Sequence, residues 1–483
     1  MLQIIQDTWP YLLALVSFVA ASLATIHVVL HKRETRAAIG WVGLIWLSPL
    51  VGCVLYCCFG VNRIERKATS LRLKNQWHHQ DRVSISEKDI ADQRELIKEH
   101  PTFAGLTKLV QNLTDRPAMP GNSVQPLVNG DQAYPAMLAA INSAKKSITL
   151  VSYIFDDDRA GDSFVQQLVE AKDRGVEIRI LIDDVGARYS RPKIIGKLRR
   201  AGLTVATFLP TRIPRLFQYA NLRNHRKILV VDGCIGFAGG TNIRDGHWLE
   251  IEPTDPIRCL HFRFEGPVVS HLQEAFAIDW VFATGEVLDG ALWFPKIGRT
   301  AGVWARGISD GPDEDLDKIP FTIHGALAAA QESVYIMTPY FLPDRALVQA
   351  LNAADLRGVD VRIVIPAKSN ISLIHWATLA LLPYLLEHGC QVYLSPPPFD
   401  HTKLMVVDGI WSLVGSSNWD PRSLRLNFEF NVECYSRELG AELESLVKSR
   451  IEAAREILLD ELRDRSIAWR LRDGLARLFS PYL

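Results

Sequence analysis

Two stretches of this 483-residue chain carry the same reactive side chains at the same spacing. His225-Arg-Lys227 runs through Ile-Leu-Val-Val to Asp232, and His401-Thr-Lys403 runs through Leu-Met-Val-Val to Asp408. Seven residues past each Asp comes a Gly-x-x-Asn, Gly239-Gly240-Thr-Asn242 in one case and Gly415-Ser416-Ser-Asn418 in the other. The apolar runs Ile228–Val231 and Leu404–Val407 read as strands, and a period of two then puts His225 with Lys227, and His401 with Lys403, on one face. Asp232 and Asp408, an odd number of residues from their histidines, point the other way and are read as anchors that complete the catalytic motif. An imidazole beside an ammonium suits an anion and repels a metal cation. The Gly/Ser turns (Gly239, Gly240, Gly415, Ser416) offer backbone N–H groups, and Asn242 and Asn418 offer side-chain amides, all suited to phosphate oxygens. Two such half-sites would set two histidines either side of one phosphorus, with Lys227 and Lys403 neutralising its oxygens.

The elements that must position these groups are themselves repeated. Ala144–Phe155 resembles Ala330–Phe341, Arg174–Ile180 resembles Arg357–Ile363, and His225–Asp232 resembles His401–Asp408, at offsets of 186, 183 and 176. A repeat of this length is a duplicated domain. Short Val/Ile-rich runs alternate with amphipathic stretches such as Ser163–Asp173, which predicts an α/β sandwich whose strands are buried on both faces. The expected order is a first copy over 121–300 and a second over 301–483. A polar, helical segment over 63–120 precedes them, ending in a Pro/Gly-rich loop from Asp115 to Gly121.

The remaining apolar residues gather at the N-terminus. No Asp, Glu, Lys or Arg occurs from Thr8 to Leu30, nor from Ala37 to Val61. Each run reaches the roughly 20 residues that cross a bilayer as a helix. A signal peptide is the competing reading of the first run, but it lacks a basic n-region, and residues 1–62 are read as a transmembrane hairpin. Three basic residues in the turn (Lys32, Arg33, Arg36) face five after the second run (Arg63, Arg66, Lys67, Arg72, Lys74), which favours a cytoplasmic body. Gly40, Gly43, Gly52 and Gly60 would let the helices approach closely. Lys+Arg 54 balances Asp+Glu 54, which argues against a general nucleic-acid binder. Seven cysteines without paired spacing suggest a reducing compartment, and no zinc or haem pattern occurs; His78-His79 reads as solvated surface. Neither metal nor cofactor is expected. The tail Arg465–Leu483 mixes apolar residues with Arg465, Arg470, Arg472 and Arg477, and reads equally as an interfacial helix or as one docked on the catalytic body.

The paired His-x-Lys-x4-Asp blocks resemble the phospholipase D superfamily. The hairpin, Leu30-His-Lys-Arg33, Gly40-Trp41, Phe59-Gly-Val-Asn-Arg63, Pro339–Asp344 and Gly415–Ser423 narrow the resemblance to bacterial cardiolipin synthases, over essentially the whole chain. The resemblance implies a duplicated α-β-α sandwich with one active site between the copies, in a multi-pass protein of the bacterial inner membrane. It implies a phosphatidyl transfer through a phosphohistidine, from phosphatidylglycerol to a second lipid hydroxyl, with glycerol released. His225 would be the nucleophile and His401 the general acid, the reverse assignment being open. Glu429 resembles the family glutamate that accepts from the second motif's histidine. The first copy departs from the family: Ile257-Arg258-Cys259-Leu260-His261 stands where many relatives carry Trp-Arg-Asp-x-His. The acid expected to orient His225 is therefore missing, with Asp255, Glu250 and Glu252 as candidate substitutes. A hydrolytic phospholipase D is the alternative activity.

Overall fold

The structure is a computed structural model that describes residues 2–32, 35–60, 87–188, 194–210, 222–312 and 316–480. Arg33, the five basic residues from Arg63 to Lys74, the end of Phe59–Arg63 and the His78-His79 pair lie outside the described residues.

The N-terminal helices form a unit of their own. α1 (Leu2–His31) contains the apolar stretch Thr8–His31, 24 residues and, among the described residues, the one helix long and apolar enough to cross a membrane. The second apolar run is not the single helix expected. It comprises α2 (Thr35–Leu47), α3 (Pro49–Leu55) and a π turn at Tyr56–Gly60. Pro49 has no N–H to continue the ladder and its ring drives Ser48 out of the helical region, to φ −145 and ψ 79. The pieces still pack as a hairpin. His27 Nδ1 meets Tyr56 Oη at 2.8 Å, Trp46 Nε1 donates to Thr25 Oγ1 at 3.1 Å, and Ala21, Val28, Ile45 and Tyr56 form a small core. Of the four glycines, Gly52 and Gly60 are the two that close approach demands, since a Cβ would lie 2.6 Å from the Leu44 carbonyl at Gly52 and 2.1 Å from the Tyr56 ring at Gly60; Gly40 and Gly43 face open space. Leu12, Leu15, Phe18, Leu23, Val29 and Val54 are left exposed, an apolar surface suited to lipid.

Among the described residues, the rest of the chain is built on one sheet of sixteen strands, two of them the short pieces Arg223–Asn224 and Arg455–Glu456 and the other fourteen shared equally by the two copies. The first copy supplies β1 (Met119–Val128), β2 (Ser147–Ser152), β3 (Glu177–Asp183), β4 (Val205–Phe208), β5 (Ile228–Val231), β6 (Ile235–Gly239) and β7 (Leu260–Glu265). The second supplies β8 (Val303–Asp310), β9 (Ser333–Met337), β10 (Asp360–Pro366), β11 (Gln391–Ser395), β12 (Leu404–Val407), β13 (Trp411–Gly415) and β14 (Asn427–Tyr435). In space the order is β11-β10-β9-β12-β13-β14-β8, then β1-β7-β6-β5-β2-β3-β4, so the copies run outward as mirror lists from the antiparallel β8–β1 joint. Strands β2, β12 and β5 are buried throughout, and β9 from Val334 onward, as the unbroken apolar runs require.

Two details differ from the reading of the sequence, and a third decides between its two readings of the tail. The Pro/Gly cluster is not all loop: β1 begins at Met119, with a bulge between Met119 and Asn122 that accommodates Pro120 and the positive φ of 85 at Gly121. The preceding helices Glu87–Glu99 and Ala104–Thr114 are no mere connector, since Leu96, Leu106 and Val110 are buried in the core of the second copy with Trp304, Ile308 and Ile323. The C-terminal helix Ile467–Leu478 docks on helix Ser372–Leu381. Asp473 and Ala476 are buried there, and the Arg472 guanidinium lies 4.4 Å from the Trp376 ring centre, while Ile467, Leu471, Leu475 and Leu478 remain exposed.

Candidate active site

The copies exchange backbone at the site. Arg223-Asn224, just before the first motif, pairs in parallel with Asn427-Phe428 of the second copy, and Phe399-Asp400, just before the second motif, pairs with Ile257-Arg258 of the first. As a result the His225 N–H donates to the Phe428 carbonyl at 2.9 Å, and the His401 N–H to the Arg258 carbonyl at 2.7 Å. Each motif is held by the other copy's chain. Asp183, buried and pushed up to about 6 by that burial, secures the first crossing by accepting the N–H groups of Asn224, Val185 and Gly186.

Residues 225–227 and 401–403 are extended and precede strands β5 and β12. Lys227 Nζ donates to the His225 carbonyl at 2.7 Å and Lys403 Nζ to the His401 carbonyl at 2.7 Å, so each lysine folds back toward its own histidine. Burial lowers Lys227 to about 8 and Lys403 to about 7. Asp232 and Asp408 stand away from these groups. Each takes a positive φ (51 and 52) and accepts three consecutive backbone N–H groups, of Lys145, Lys146 and Ser147 and of Gln331, Glu332 and Ser333. They tie the starts of strands β2 and β9 in place, as the anchoring reading of the sequence expected.

In the Gly-x-x-Asn segments, the Gly240 and Ser416 N–H groups are not free for the phosphate cradle expected. The Gly240 N–H is spent on the Leu260 carbonyl and the Ser416 N–H on the Phe430 carbonyl, because both continue the sheet ladder. Gly239 and Gly415 serve close approach: a Cβ at Gly415 would lie 2.1 Å from Asn431 Oδ1, and one at Gly239, φ 152, would lie 2.8 Å from His261 Cα. Asn242 Oδ1 accepts from the Ile154 N–H, and Asn418 Nδ2 donates to Ser423 Oγ.

Glu429 is placed otherwise than the resemblance implied. Its carboxylate meets the first motif's histidine, with His225 Nδ1 2.9 Å from Oε1 and 3.0 Å from Oε2, and it also accepts from Ser416 Oγ and from Asn427 Nδ2 at 3.1 Å. A carboxylate only accepts, so Nδ1 of His225 carries the hydrogen and Nε2 presents its lone pair. Burial opposes the charged carboxylate, but His225 and Lys227 outweigh it and hold Glu429 below the usual range. Burial likewise dominates at His225, lowering it to about 4 in spite of Glu429.

The missing acid therefore concerns His401. Registers Gly239↔His261 and Gly415↔Asn431 are equivalent, which sets Cys259 in the place of Glu429. Cys259 Sγ lies 3.9 Å from His401 Nδ1, and burial raises the thiol to about 11, so it stays neutral. His401 Nδ1 donates instead to the Gly240 carbonyl at 3.0 Å, which again leaves Nε2 facing the site. With burial and the lysines against it, the His401 imidazolium is held well below the usual range. Asp255, Glu250 and Glu252 are exposed and do not substitute. Two residues missed by the sequence reading also line this region: Tyr153, 5.1 Å ring to ring from His225, and His247, 6.0 Å from His401. Among the described residues, no group of three or more His, Cys, Asp or Glu could hold a metal.

Comparison with known proteins agrees with this architecture. Residues 137–280 and 323–451 match the family described as cardiolipin synthase, PLD-like domain, and residues 19–60 match the phospholipase D-nuclease N-terminal family. A major cardiolipin synthase of Bacillus subtilis is 31% identical over 98% of this chain and 99% of its own length. Cardiolipin synthase A of Pseudomonas fluorescens is 33% identical over 98% of each chain. Among solved structures, the phosphatidylserine synthase of Haemophilus influenzae shares the fold, with a TM-score of 0.62 at 15% identity over 78% of this chain and 100% of that one. The chain is a membrane-associated phosphatidyltransferase and belongs to the cardiolipin synthase family of the phospholipase D superfamily.

Proposed function

We propose that the protein transfers a phosphatidyl group from one phosphatidylglycerol to a hydroxyl of a second, in two displacements at one phosphorus. The observation that carries this reading is the pairing of His225 and His401. Each imidazole has its Nδ1 hydrogen engaged by an acceptor, Glu429 or the Gly240 carbonyl, and each is backed by a buried lysine. His225 Nε2 attacks phosphorus, the bond from phosphorus to the glycerol oxygen breaks, and His401 Nε2 delivers a proton to that oxygen. Glycerol leaves. His401 then takes the proton of the incoming lipid hydroxyl, whose oxygen displaces His225 and yields cardiolipin. Glu429 supports the roles in this order, because His225 is the ring that bears positive charge in the phosphohistidine. The anionic phosphodiester offsets the lysine field that disfavours a protonated His401 in the free site. The groups described need no metal or nucleotide for these steps.

The helical pieces of the second apolar run support a second crossing of the bilayer, and the five basic residues after it support a cytoplasmic body. The zero net charge supports lipid rather than nucleic acid as the phosphate source.

The test is purified protein in phosphatidylglycerol vesicles, following cardiolipin, glycerol and phosphatidic acid. Equal amounts of cardiolipin and glycerol are expected. Phosphatidic acid without cardiolipin would make the protein a hydrolase. For topology, a cysteine introduced at Lys32 should be labelled from outside the cell; labelling only after permeabilisation would invert the orientation.

A further inference from the structure

The two copies are alike around the phosphate and unlike beside it. In the second copy the polar side chains flanking the motif are closed on one another: Asn418 Nδ2 donates to Ser423 Oγ at 3.1 Å, and Asn431 Nδ2 donates to Ser417 Oγ at 2.6 Å. The matching positions of the first copy are His247, at the same offset of 176 as the two motifs, and His261, in the same register as Asn431. Both histidines are 1% exposed, and neither is closed in this way. Nδ1 of His247 and both ring nitrogens of His261 are buried without a hydrogen-bond partner. Leaving such atoms unmet in the folded protein is costly. They also sit at the reacting end of the site: the His247 ring is 6.0 Å from that of His401, and a Cβ at Gly239 would lie 2.8 Å from His261 Nδ1.

From this geometry we infer that His247, supported by His261, forms a polyol subsite that hydrogen-bonds the free hydroxyls of a glycerol headgroup whose ester oxygen lies at His401. This inference rests on the phosphatidyl transfer proposed above, in which His401 serves the alcohol. A neutral imidazole both donates and accepts, and so matches a hydroxyl, which does the same. Burial, reinforced by the nearby cations, keeps both rings uncharged: burial together with Arg244, Lys403 and Lys227 lowers His247, and burial with Lys227 lowers His261 to about 3. His247 is thus a positioning and selecting residue for the alcohol, while proton transfer stays with His401. A site built around buried polar atoms rejects an analogue lacking the matching hydroxyl far more strongly than an apolar pocket does.

The experiment compares two donors in vesicles, phosphatidylglycerol and phosphatidylethanol, whose headgroup has no free hydroxyl. Formation of the phosphohistidine is followed with each for the wild type, His247→Phe and His247→Gln. The ratio of kcat/KM for the two donors should fall about tenfold or more in His247→Phe, through KM for phosphatidylglycerol, and His247→Gln should recover part of it. An unchanged ratio in His247→Phe would overturn the subsite. So would equal losses with both donors in both variants, which is the signature of a merely structural histidine. A wild-type protein that made phosphohistidine from phosphatidylglycerol with release of diacylglycerol in place of glycerol would remove the transfer reading and this inference together.

Discussion

Replacing Glu429 by Gln isolates the interaction that makes the two histidines unequal. The substitution preserves shape, and Glu429 is fully buried, so the change falls on charge and hydrogen bonding alone. At the 2.9 Å separation from His225 Nδ1, a carboxylate opposite an imidazolium gains about 6 kcal/mol at an effective dielectric near 20. Some of this is offset because the carboxylate no longer has to be kept charged in a buried place. The amide brings a second loss: its NH2 can donate to Nδ1, which moves the ring hydrogen to Nε2 and removes the nucleophilic lone pair. In the serine-protease triad the corresponding change costs about 10⁴ in kcat. A loss of about 10³, or about 4 kcal/mol of barrier, is expected here. The assay is alkaline-quench trapping of phosphohistidine in a His401→Ala background, using phosphatidyl-p-nitrophenol, whose leaving group needs no proton. If Glu429 acts through His225, the Gln variant slows trapping about 10³-fold in that background. If more than a tenth of the trapping rate survived, the pairing of Glu429 with His225 would not be what drives the first step.

The free-enzyme pH profile follows from three buried groups. Lys403 at about 7 and Lys227 at about 8 lose their charge as pH rises through those values, and His225 at about 4 loses its nucleophilic form as pH falls through that one. Log(kcat/KM) against pH should therefore be a bell between about 4 and 7–8; an alkaline limb lying near 10 would contradict the buried lysines. Cys259→Asp restores a carboxylate facing His401 Nδ1, now 3.9 Å from sulfur, and should favour the protonated, proton-donating form of His401 and raise kcat/KM across the bell about tenfold, the burial cost of the new charge absorbing the rest of the attraction. A profile superimposable on the wild type would show that the Gly240 carbonyl alone governs that ring. Arg306→Met leaves the wholly buried Glu433 with the hydrogen bonds of Trp411 and Tyr435 but without its cation, and should cost about 3–5 kcal/mol in denaturant unfolding of the catalytic body. The double variant Arg306→Met/Glu433→Leu should recover most of that; failure to recover would point to packing rather than the stranded charge.

Much of the fold was legible because it is written locally and twice. The Val/Ile runs at Ile228–Val231 and Leu404–Val407 form buried strands, and the offset between the motifs is the relation between the two copies of the sheet. The second apolar run shows the limit of composition: it counts as long enough to span, yet Pro49 divides it, an effect of one missing N–H that hydropathy does not register. The Gly/Ser turns were legible as conserved in type between copies but not in purpose. Whether an amide N–H faces a ligand or a ladder depends on the neighbouring strand, and here β7 and β14 claim Gly240 and Ser416.

By itself, the sequence determined which groups are candidates for the chemistry: two histidines and two lysines, whose types and spacing suit phosphate and disfavour a cation. Only the tertiary structure decided which carboxylate serves which ring. Glu429 is 204 residues from His225 and reaches it because the strand before each motif pairs with the opposite copy, so the partner of a histidine lies in the other half of the chain. A reading that kept each motif within its own copy assigned Glu429 to His401 and sought a missing acid beside His225. A signal did exist, since extending the repeat at an offset of 170 sets Cys259 beneath Glu429 and locates the asymmetry. Turning that alignment into a contact required the crossing of backbones, which long-range strand pairing creates and side-chain spacing along one chain does not encode.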